Sequence, residues 1–565
     1  MNRELKMRKR RLQKNKMKHL GHKRRIYRWF VIALASLLVA GCPAPTLKED
    51  PKIEALTTGL DTIDTVQPKD LSDSPPVSVE QATVEVDEQI SDSNESIPAI
   101  ELTLEQVRAA TLANNLDLKI DLIDPAIAQR TVDIERARFE ATFYGSATYS
   151  TSETETGISS TSKDYEVGVE APLYTGGSVS VGLPFGESDT DESEGVADAA
   201  VSVSFIQSLL RGGGTRINTH SIRIVGYQKH AVDAQTKQSA IYLLASADIA
   251  YWRLYMSCRE LDVRREQYKL AQNQLRHARL KVAAGSSPKI EIVRAEAGLS
   301  SRIEALINAE TMVQNRQLDL QRIMNREDMP LNANIRIAPK TEPNPLGLDL
   351  DEEKLVAIAL GNRMETIRLE LQLAIDELDV ELARNATLPD LTFNYNYAAE
   401  TQAGDVGRAF GNFGNENSDY HSIGLFASIP LGNQAAKMRL ERARLQQLQD
   451  QANYTRLRQM IQQEVYDTVR SLRNSWRRIL VAEKSVDAAY RDYKVEQSQF
   501  QLGRSRSTDV LYSATGLADA QLSRIRALAE YEIAQIYLAQ VTGTLLGYSR
   551  IILEPTDIQD LPQTD

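Results

Sequence analysis

The chain has 565 residues, of which 42% are hydrophobic and 25% are charged, proportions that are ordinary for a folded protein. Its net charge of −11 is unevenly placed, because residues 1–41 contribute +12 and the remaining residues therefore carry −23. A body this acidic has no electrostatic attraction for nucleic acid, so we exclude nucleic acid as a partner.

The N-terminal segment predicts export. A basic region ends at Arg28, and an apolar run of thirteen residues extends from Trp29 to Gly41. About 20 residues would be needed to span a bilayer, so we interpret residues 1–41 as a signal peptide. The run closes with Val39-Ala40-Gly41-Cys42, which resembles the lipobox of bacterial lipoproteins. That resemblance implies acylation of the Cys42 thiol, whereas the alternative is an ordinary signal peptide with an incidental cysteine.

The composition of residues 42–99 predicts a solvated linker. Residues 43–100 contain 13 acidic residues and 3 lysines, and they are rich in Pro, Ser and Thr. Such a composition cannot bury enough apolar surface to fold. We therefore interpret 42–99 as a disordered acidic linker between the lipid-anchored Cys42 and the body, with a small domain as the alternative.

The body, residues 100–547, repeats one order of elements. The turn AAGSSPKIEIV (283–293) recurs as QLGRSRSTDVL (501–511), and each copy lies between two predicted helices. The first half, 100–330, predicts a helix capped by Thr103 that runs, with a kink near Pro125, to about Ala141, strands within 143–206, a long helix over 216–284 and a helix over 288–325. The second half, 346–547, predicts a helix over 350–386, strands within 391–429, a long helix over 434–502 and a helix over 507–547. Residues 548–565 form a C-terminal tail.

Alternation of apolar and polar residues predicts the strands. In the second half, Leu391, Phe393, Tyr395 and Tyr397 alternate with Thr392, Asn394 and Asn396. This period of two indicates a strand with one apolar and one wet face. A Gly/Asn-rich loop, 401–418, follows. The first half is 28 residues longer, and an additional hairpin, 164–171 joined to 178–183 through Gly176-Gly177, accounts for the difference.

Two uninterrupted segments predict very long helices. Proline, which would break a helix, is absent between Pro184 and Pro288 and between Pro430 and Pro555. A helix of about 69 residues reaches about 100 Å. Apolar residues at spacings of 3 and 4 predict coiled-coil-like seams, namely Ile241, Leu244, Ala247, Tyr251, Leu254, Cys258 and Leu261, and then Leu457, Ile461, Val465, Thr468, Leu472 and Trp476. Because Cys258 lies on a seam, core packing is favoured for it over a reactive thiol.

A single chain cannot satisfy these elements. It cannot cover helices of this length, and so few strands cannot close a barrel without open edges. We therefore expect several copies to share one barrel and one helical tube.

The residue pattern gives no sign of enzyme chemistry. The six histidines lack the spacing of metal ligands, and Gly212-Gly213-Gly214-Thr215 lacks the Gly-Lys-Ser/Thr ending of a phosphate-binding loop. No nucleophile can be paired with a base. We therefore predict no catalytic residue, no cofactor and no metal site.

The body also carries short motifs in a fixed order, which are Leu102-Thr103-Leu104-Glu105-Gln106, the turns Gly285–Val293 and Gly503–Leu511, Leu388-Pro389-Asp390-Leu391 and Ile429-Pro430-Leu431. This set resembles the TolC family of outer-membrane efflux proteins. The resemblance implies an α+β membrane protein in which a trimeric outer-membrane β-barrel continues as a long α-helical coiled-coil tunnel, with an internal two-fold repeat. It further implies a homotrimer with four strands per subunit in a twelve-stranded barrel, and a tunnel end that meets a periplasmic adapter and an inner-membrane transporter.

The resemblance implies that the two helix-to-helix turns form the periplasmic tip, where family members close the pore. The second turn of the family carries two aspartates; Asp509 matches the first, and Tyr512 stands at the second. One acid per subunit would form a charged ring, with Glu291 as the first-half counterpart of Asp509. Arg504 and Arg506 could pair with acids across subunits and hold the closed state. The alternative is that Asp509 caps the helix that follows.

The same turns would receive the tip of the adapter. The candidate contacts are Gly285, Ser286, Ser287, Gly503 and Ser505. Gly285 and Gly503 are also explained as the residues that end the two long helices.

We therefore predict an outer-membrane export channel of a tripartite efflux system, extending into the periplasm and anchored to lipid through Cys42. One alternative is the outer-membrane component of type I protein secretion, and another is a periplasmic coiled-coil scaffold lipoprotein without a pore. For the additional hairpin, 164–183, we favour a surface extension over an enlarged barrel, because a larger barrel alone would mismatch the helical tube below it.

Overall fold

The computed structural model describes residues 99–153, 159–190, 193–333, 335–412, 418–502 and 504–548. These residues all belong to one unit, 78–565. The predicted signal peptide, Cys42, the linker up to residue 98, Gly503 and the tail from residue 549 lie outside the described residues and stay predictions.

The first half begins with a short strand and three helices. Strand β1 (Ala99–Leu102) is followed by α1 (Leu104–Asn114), α2 (Leu116–Asp121) and α3 (Asp124–Ala137). Thr103 caps α1 as predicted, since its Oγ1 accepts the Gln106 N–H at 3.3 Å and Gln106 Oε1 accepts the Thr103 N–H at 2.9 Å.

The single helix predicted up to about Ala141 is wrong. Asn115 has an extended backbone (φ −60°, ψ 130°) and its side chain caps α2, so the helix is interrupted there. The helix is also interrupted at the predicted kink near Pro125. Pro125 lies in the first turn of α3, where a missing N–H costs nothing. The second half breaks in the same way at Arg363 (φ −71°, ψ 131°), which separates α7 (Glu352–Asn362) from α8 (Met364–Asn385).

Six antiparallel strands form one sheet in the described part of the chain. Their order is β2 (Thr142–Glu153), β3 (Ser159–Leu173), β4 (Gly177–Thr190), β5 (Ser193–Ser208), β7 (Asp390–Ala403) and β8 (Ser418–Ser428). A separate parallel pair joins β1 to β6 (Arg336–Pro339). The long loop predicted at 401–418 contains a short helix, α9 (Val406–Gly411), which Asp405 caps by accepting the Arg408 N–H.

The additional hairpin lies inside this sheet. Its two strands, β3 and β4, are longer than the predicted 164–171 and 178–183, and they pair with β2 on one side and with β5 on the other. The hairpin is therefore part of the sheet, and its role as a surface extension or as part of an enlarged barrel stays a prediction. Pairing within the sheet satisfies the backbone hydrogen bonds of the hairpin, whose alternating pattern continues that of its neighbours.

The long helices lie close to the predicted ranges. In the first half, α4 (Thr215–Asn218) precedes α5 (His220–Ala283, 64 residues) and α6 (Ile290–Met324, 35 residues). In the second half, α10 (Gln434–Gln501) has 68 residues, α11 (Ser507–Val541) has 35, and α12 (Leu545–Tyr548) ends the described chain. The corresponding helices of the two halves are therefore nearly equal in length.

Two apolar cores hold the helices together. One core joins α5 to α6 through residues such as Tyr251, Leu254 and Leu306, and the other joins α10 to α11 through residues such as Val465, Leu472 and Tyr531. The predicted seam on α10 needs one correction, because Val469 is buried instead of Thr468. Spacings of 4 and 3 from Val465 keep Val469 and Leu472 on the side that faces α11.

Cys258 packs against the first core, as its place on the seam predicts. Burial raises the pKa of its thiol to about 11, so the thiol is protonated at neutral pH. A protonated thiol is a poor nucleophile, which agrees with a packing role.

Candidate functional site

The first helix-to-helix turn follows α5. Gly285 adopts φ +70°, and its N–H donates to Val282 O at 3.0 Å while the Ser286 N–H donates to Lys281 O at 2.9 Å. This pair of hydrogen bonds satisfies two carbonyl groups that the helix end would leave free. Gly285 therefore ends the helix, as one of its two predicted roles requires.

Glu291 lies just beyond this turn, in the first turn of α6. Its carboxylate accepts a hydrogen bond from Arg294 at 2.8 Å, one turn along the same helix. Glu291 is thus paired within its own helix, so its negative charge is partly compensated by Arg294.

The second turn, between α10 and α11, has a similar geometry. The Arg504 N–H donates to Gln499 O at 2.8 Å, as Ser286 does in the first turn. Ser505 Oγ donates to the Glu496 carboxylate at 2.6 Å. Asp509 lies at the third position of α11, and its carboxylate accepts the Arg506 N–H at 3.3 Å. The capping role weighed for Asp509 is therefore present in the fold.

The other predicted gate residues are exposed. The side chain of Tyr512 is 83% exposed, one turn of α11 beyond Asp509. Arg504 and Arg506 are also exposed, and neither forms an ion pair with another described residue. These three side chains are free to meet groups outside the chain.

One cleft brings the two turns together. It has a volume of about 350 Å³ and is lined on one side by Lys281, Ser287 and Glu291 and on the other by Ser505 and Arg506. Lys281 Nζ lies 4.2 Å from the centre of the Phe500 ring, a cation–π contact that joins α5 to α10. The residues predicted for the gate and for the adapter contact therefore share one end of the helical body.

A set of acidic residues on the sheet escaped the sequence analysis. Even-numbered positions of β3 place Asp164, Glu166 and Glu170 on one face, opposite the face that carries Tyr165 and Val167. In the described residues of the six-stranded sheet, Lys or Arg occupies no even-numbered position. The signal was the alternation within 164–171, where each apolar residue is followed by a polar one or glycine.

Two groups of ion pairs, each with a largely buried side chain, also escaped it. Asp248 on α5 has a fully buried side chain, and it accepts two hydrogen bonds from Arg108 on α1, each of 2.8 Å. Burial raises the pKa of Asp248 above its usual value, although Arg108 opposes this rise. Partners 140 residues apart in sequence leave no local pattern that could have revealed them.

The second group lies at the break between α7 and α8. Arg363 binds Glu365 at 2.9 Å and also contacts the carboxylate of Glu464 on α10. Burial would raise the pKa of Glu365, but the hydrogen bonds from Arg363, the backbone and Tyr242, together with the charge of Arg363, hold this pKa below its usual value. This group ties the interrupted helix to the long one.

Other kinds of site find no support in the part of the chain that the structure covers. Its helices include none that is both long and apolar enough to cross a membrane. Nor do its His, Cys, Asp and Glu side chains gather in groups of three or more suited to a metal ion.

Residues 355–544 match a family model described as outer membrane efflux protein. No curated protein matches the chain. Among solved structures, the chain is similar to a membrane protein from Pseudomonas aeruginosa (TM-score 0.62, 16% identity, 78% of this chain and 93% of that one). It is also similar to the CmeC outer membrane channel of Campylobacter jejuni (0.60, 16%, 86% and 94%) and to the open MtrE outer membrane channel of Neisseria gonorrhoeae (0.57, 17%, 78% and 89%). At such low identity these structures establish the fold.

Proposed function

Because the chain carries an outer membrane efflux protein domain on the fold of outer-membrane channels, we propose that it forms a homotrimeric export channel. Its sheets would join into a barrel in the outer membrane, and its helices would form a tunnel through the periplasm. Substrates would cross both compartments through this path without a chemical step in the chain itself.

The observation that carries the proposal is the apolar surface that one chain leaves exposed. On the sheet, Phe143 is 72% exposed, Ile423 is 74% exposed and Leu425 is 65% exposed. On α10, Leu445 and Val481 are 60% and 68% exposed. Soluble monomers rarely expose this much apolar surface. Lipid would cover the sheet, and neighbouring copies would cover the helices.

The order of elements supports an internal repeat. Each half has a broken helix, strands, a helix of 64 or 68 residues and a helix of 35 residues. Two such halves give each subunit two helical hairpins. Three subunits would then surround the axis with six hairpins of similar length.

The second turn is the proposed gate. Asp509, with Tyr512 beside it, would give one acidic and one aromatic ring around the axis. Arg504 and Arg506 are exposed in the same turn and would pair with acids of neighbouring subunits. Capping by Asp509 is compatible with this role, since a carboxylate that accepts one N–H still carries its charge.

The cleft between the turns is the proposed contact for a periplasmic adapter, which would link the channel to an inner-membrane transporter. Ser287 and Ser505 line it, while Gly285 and Ser286 shape the turn beside it. An acylated Cys42 would add a lipid anchor at the membrane, and the acidic linker would span from that anchor to β1.

Single-channel recording of the purified protein in planar bilayers tests the gate. Asp509→Ala removes both the charge and the acceptor of the Arg506 N–H, whereas Asp509→Asn keeps an acceptor and removes only the charge. We expect both variants to open more often and to lose cation selectivity. Glu291→Ala is the matched control in the first turn, where the carboxylate is already paired with Arg294.

Three outcomes separate the alternatives. If Asp509→Asn behaves as the natural protein while Asp509→Ala only melts earlier, Asp509 is a cap and has no part in the gate. If no variant and no natural protein conducts, the channel is rejected in favour of a scaffold lipoprotein. A role in type I protein secretion shares the pore, and reconstitution with a candidate transporter and its cargo distinguishes it from small-molecule efflux.

A further inference from the structure

The additional hairpin is paired along its length on both sides. All twelve residues of β2 have partners in β3, from Thr142 opposite Glu170 to Glu153 opposite Ser159. On the other side, β4 pairs with β5 from Gly177 opposite Gln207 to Thr190 opposite Ser193. Both strands of the hairpin therefore lie between β2 and β5, and the hairpin is an integral part of the sheet.

Side-chain direction is continuous across the hairpin. One row of directly opposite residues is apolar or aromatic, and it consists of Phe143, Val169, Val181, Val203 and Tyr397. The next row is polar, and it consists of Thr142, Glu170, Ser180, Ser204 and Asn396. A protruding hairpin would have no reason to keep the two faces of its neighbours in register.

The turn at the base of the hairpin docks on the helical body. The Ser208 N–H donates to Gly176 O at 3.3 Å, and the Gly214 N–H donates to Thr175 O at 2.9 Å. On the other side the Tyr174 ring stacks on Phe139, with 4.2 Å between ring centres. Tyr174 and Thr175 thus connect the end of the α3 segment with the start of α4. The base of the hairpin therefore lies against the segments that join the sheet to the helices.

The two edges of the sheet complement each other. In the described chain β2 and β8 have no partner on their outer sides. With six antiparallel strands in sequence, β2 and β8 run in opposite directions, so β8 of one copy can continue the antiparallel order onto β2 of the next. An edge left open at an apolar face is not tolerated in lipid. The occupant of each edge is therefore a second copy of this chain.

We propose that each subunit contributes six strands to the barrel wall, so that the trimer closes an eighteen-stranded barrel in place of the twelve strands that the family resemblance implies. This inference rests on the proposed trimeric channel. Since barrel diameter grows roughly linearly with strand number, the outer-membrane pore would be about 1.5 times as wide as a twelve-stranded one. Such a pore suits bulky cargo, with selection left to the narrow periplasmic end.

Paired cysteine substitutions in a Cys258→Ala background test whether the hairpin strands are part of the barrel. Ser180→Cys and Val181→Cys are neighbours on β4 with opposite directions, and Ser204→Cys and Val203→Cys are the matching pair on β5. The protein is reconstituted in phosphatidylcholine vesicles and treated with a charged maleimide that does not enter lipid. We expect Ser180→Cys to react more than about tenfold faster than Val181→Cys, because a charged reagent reaches a wet lumen and is excluded from hydrocarbon.

The β5 pair distinguishes failure of the six-strand proposal from failure of the proposed channel. If Ser204→Cys and Val203→Cys differ while Ser180→Cys and Val181→Cys react alike, the barrel stands and the hairpin lies outside it, which overturns the inference. If the β5 pair also reacts alike, the proposed channel itself is wrong. Imaging of the purified trimer by electron cryomicroscopy gives an independent count, and twelve strands in the wall would contradict our proposal.

Discussion

A fully buried carboxylate is costly unless a partner compensates its charge, and Asp248 has such a partner. Asp248 faces α1 from the middle of α5, and both of its oxygens accept hydrogen bonds from Arg108, whose side chain is 12% exposed. The two hydrogen bonds of this bidentate contact compensate the loss of hydration of both charges. The pair therefore fixes where α1 lies along α5 more than it adds net stability.

Arg108→Met leaves Asp248 buried without its partner, and we expect a loss of about 3–5 kcal/mol in the free energy of unfolding. Because burial alone then raises the pKa of Asp248 further, the charged form is the unfavourable one. The loss is thus greatest at neutral pH, and it shrinks as the pH falls through the raised pKa and Asp248 becomes protonated. Urea unfolding of the detergent-solubilised protein between pH 4 and 8 measures this.

Arg108→Met combined with Asp248→Leu is the control. Replacing both charges by apolar groups of similar volume is expected to recover most of the stability at pH 7 and to remove the pH dependence. A double variant as unstable as the single one would show that the pair acts through packing and not through charge.

At the scale of elements, the structure depends on a few short connections. Asn115 and Arg363 interrupt the entry helices of the two halves with extended backbones, and the strand-to-helix segment 209–218 receives the base of the hairpin. Gly176 and Gly214, on the two sides of that contact, both have positive φ, +90° and +96°. They differ in surroundings, since a Cβ on Gly176 would overlap Gly212 O and the Asn218 amide, whereas none of the described atoms lies within 4 Å of one on Gly214.

Gly176→Ala and Gly214→Ala form a matched pair for the docking of the hairpin. Each substitution puts an L side chain into a left-handed conformation, which costs roughly 1–2 kcal/mol. Only Gly176→Ala must also push the hairpin base away from residues 212 and 218. We expect Gly176→Ala to lower the melting temperature of the solubilised protein clearly more than Gly214→Ala does. Equal shifts would mean that the hairpin base does not depend on this contact.

At the scale of the whole molecule, one chain is an incomplete object. Both the apolar face of the sheet and the outer side of α10 expose large side chains, and both edge strands lack partners among the described residues. The proposed trimer turns the polar face of the sheet toward its lumen. Three acids of the additional hairpin, Asp164, Glu166 and Glu170, would then line the outer-membrane end of the pore.

Those acids predict cation selectivity at this end of the channel. We expect the combined variant Asp164→Asn, Glu166→Gln and Glu170→Gln to reduce the cation-to-anion permeability ratio by at least about twofold, because it removes nine charges from the trimer's lumen. Reversal potentials under a salt gradient measure the ratio. Glu187→Gln is the control, since Glu187 points to the other face and is paired with Lys163 at 3.0 Å. An equal effect of the control would place the acids outside the lumen.

Local patterns in the sequence determined much of this protein. The family resemblance, predicted from an ordered set of motifs, is confirmed by the family match over 355–544 and by the fold. The cap at Thr103 and the seam that buries Tyr251 and Leu254 could be predicted because capping and helical periodicity depend on residues only a few positions apart. The gate residues were located by the turns themselves, and their role stays a proposal.

Only the tertiary structure decided which distant residues meet. It placed the additional hairpin between β2 and β5, paired Arg108 with Asp248 across 140 positions, and brought the two helix-to-helix turns to one cleft. The residue pattern of the hairpin suits a protruding ribbon and an inner pair of strands in a sheet equally well, because both need two alternating strands. The position of the hairpin in the sheet depends on its hydrogen bonds with β2 and β5 and on the close packing of Gly176 against Gly212 and Asn218. Such interactions exist only once the chain has folded.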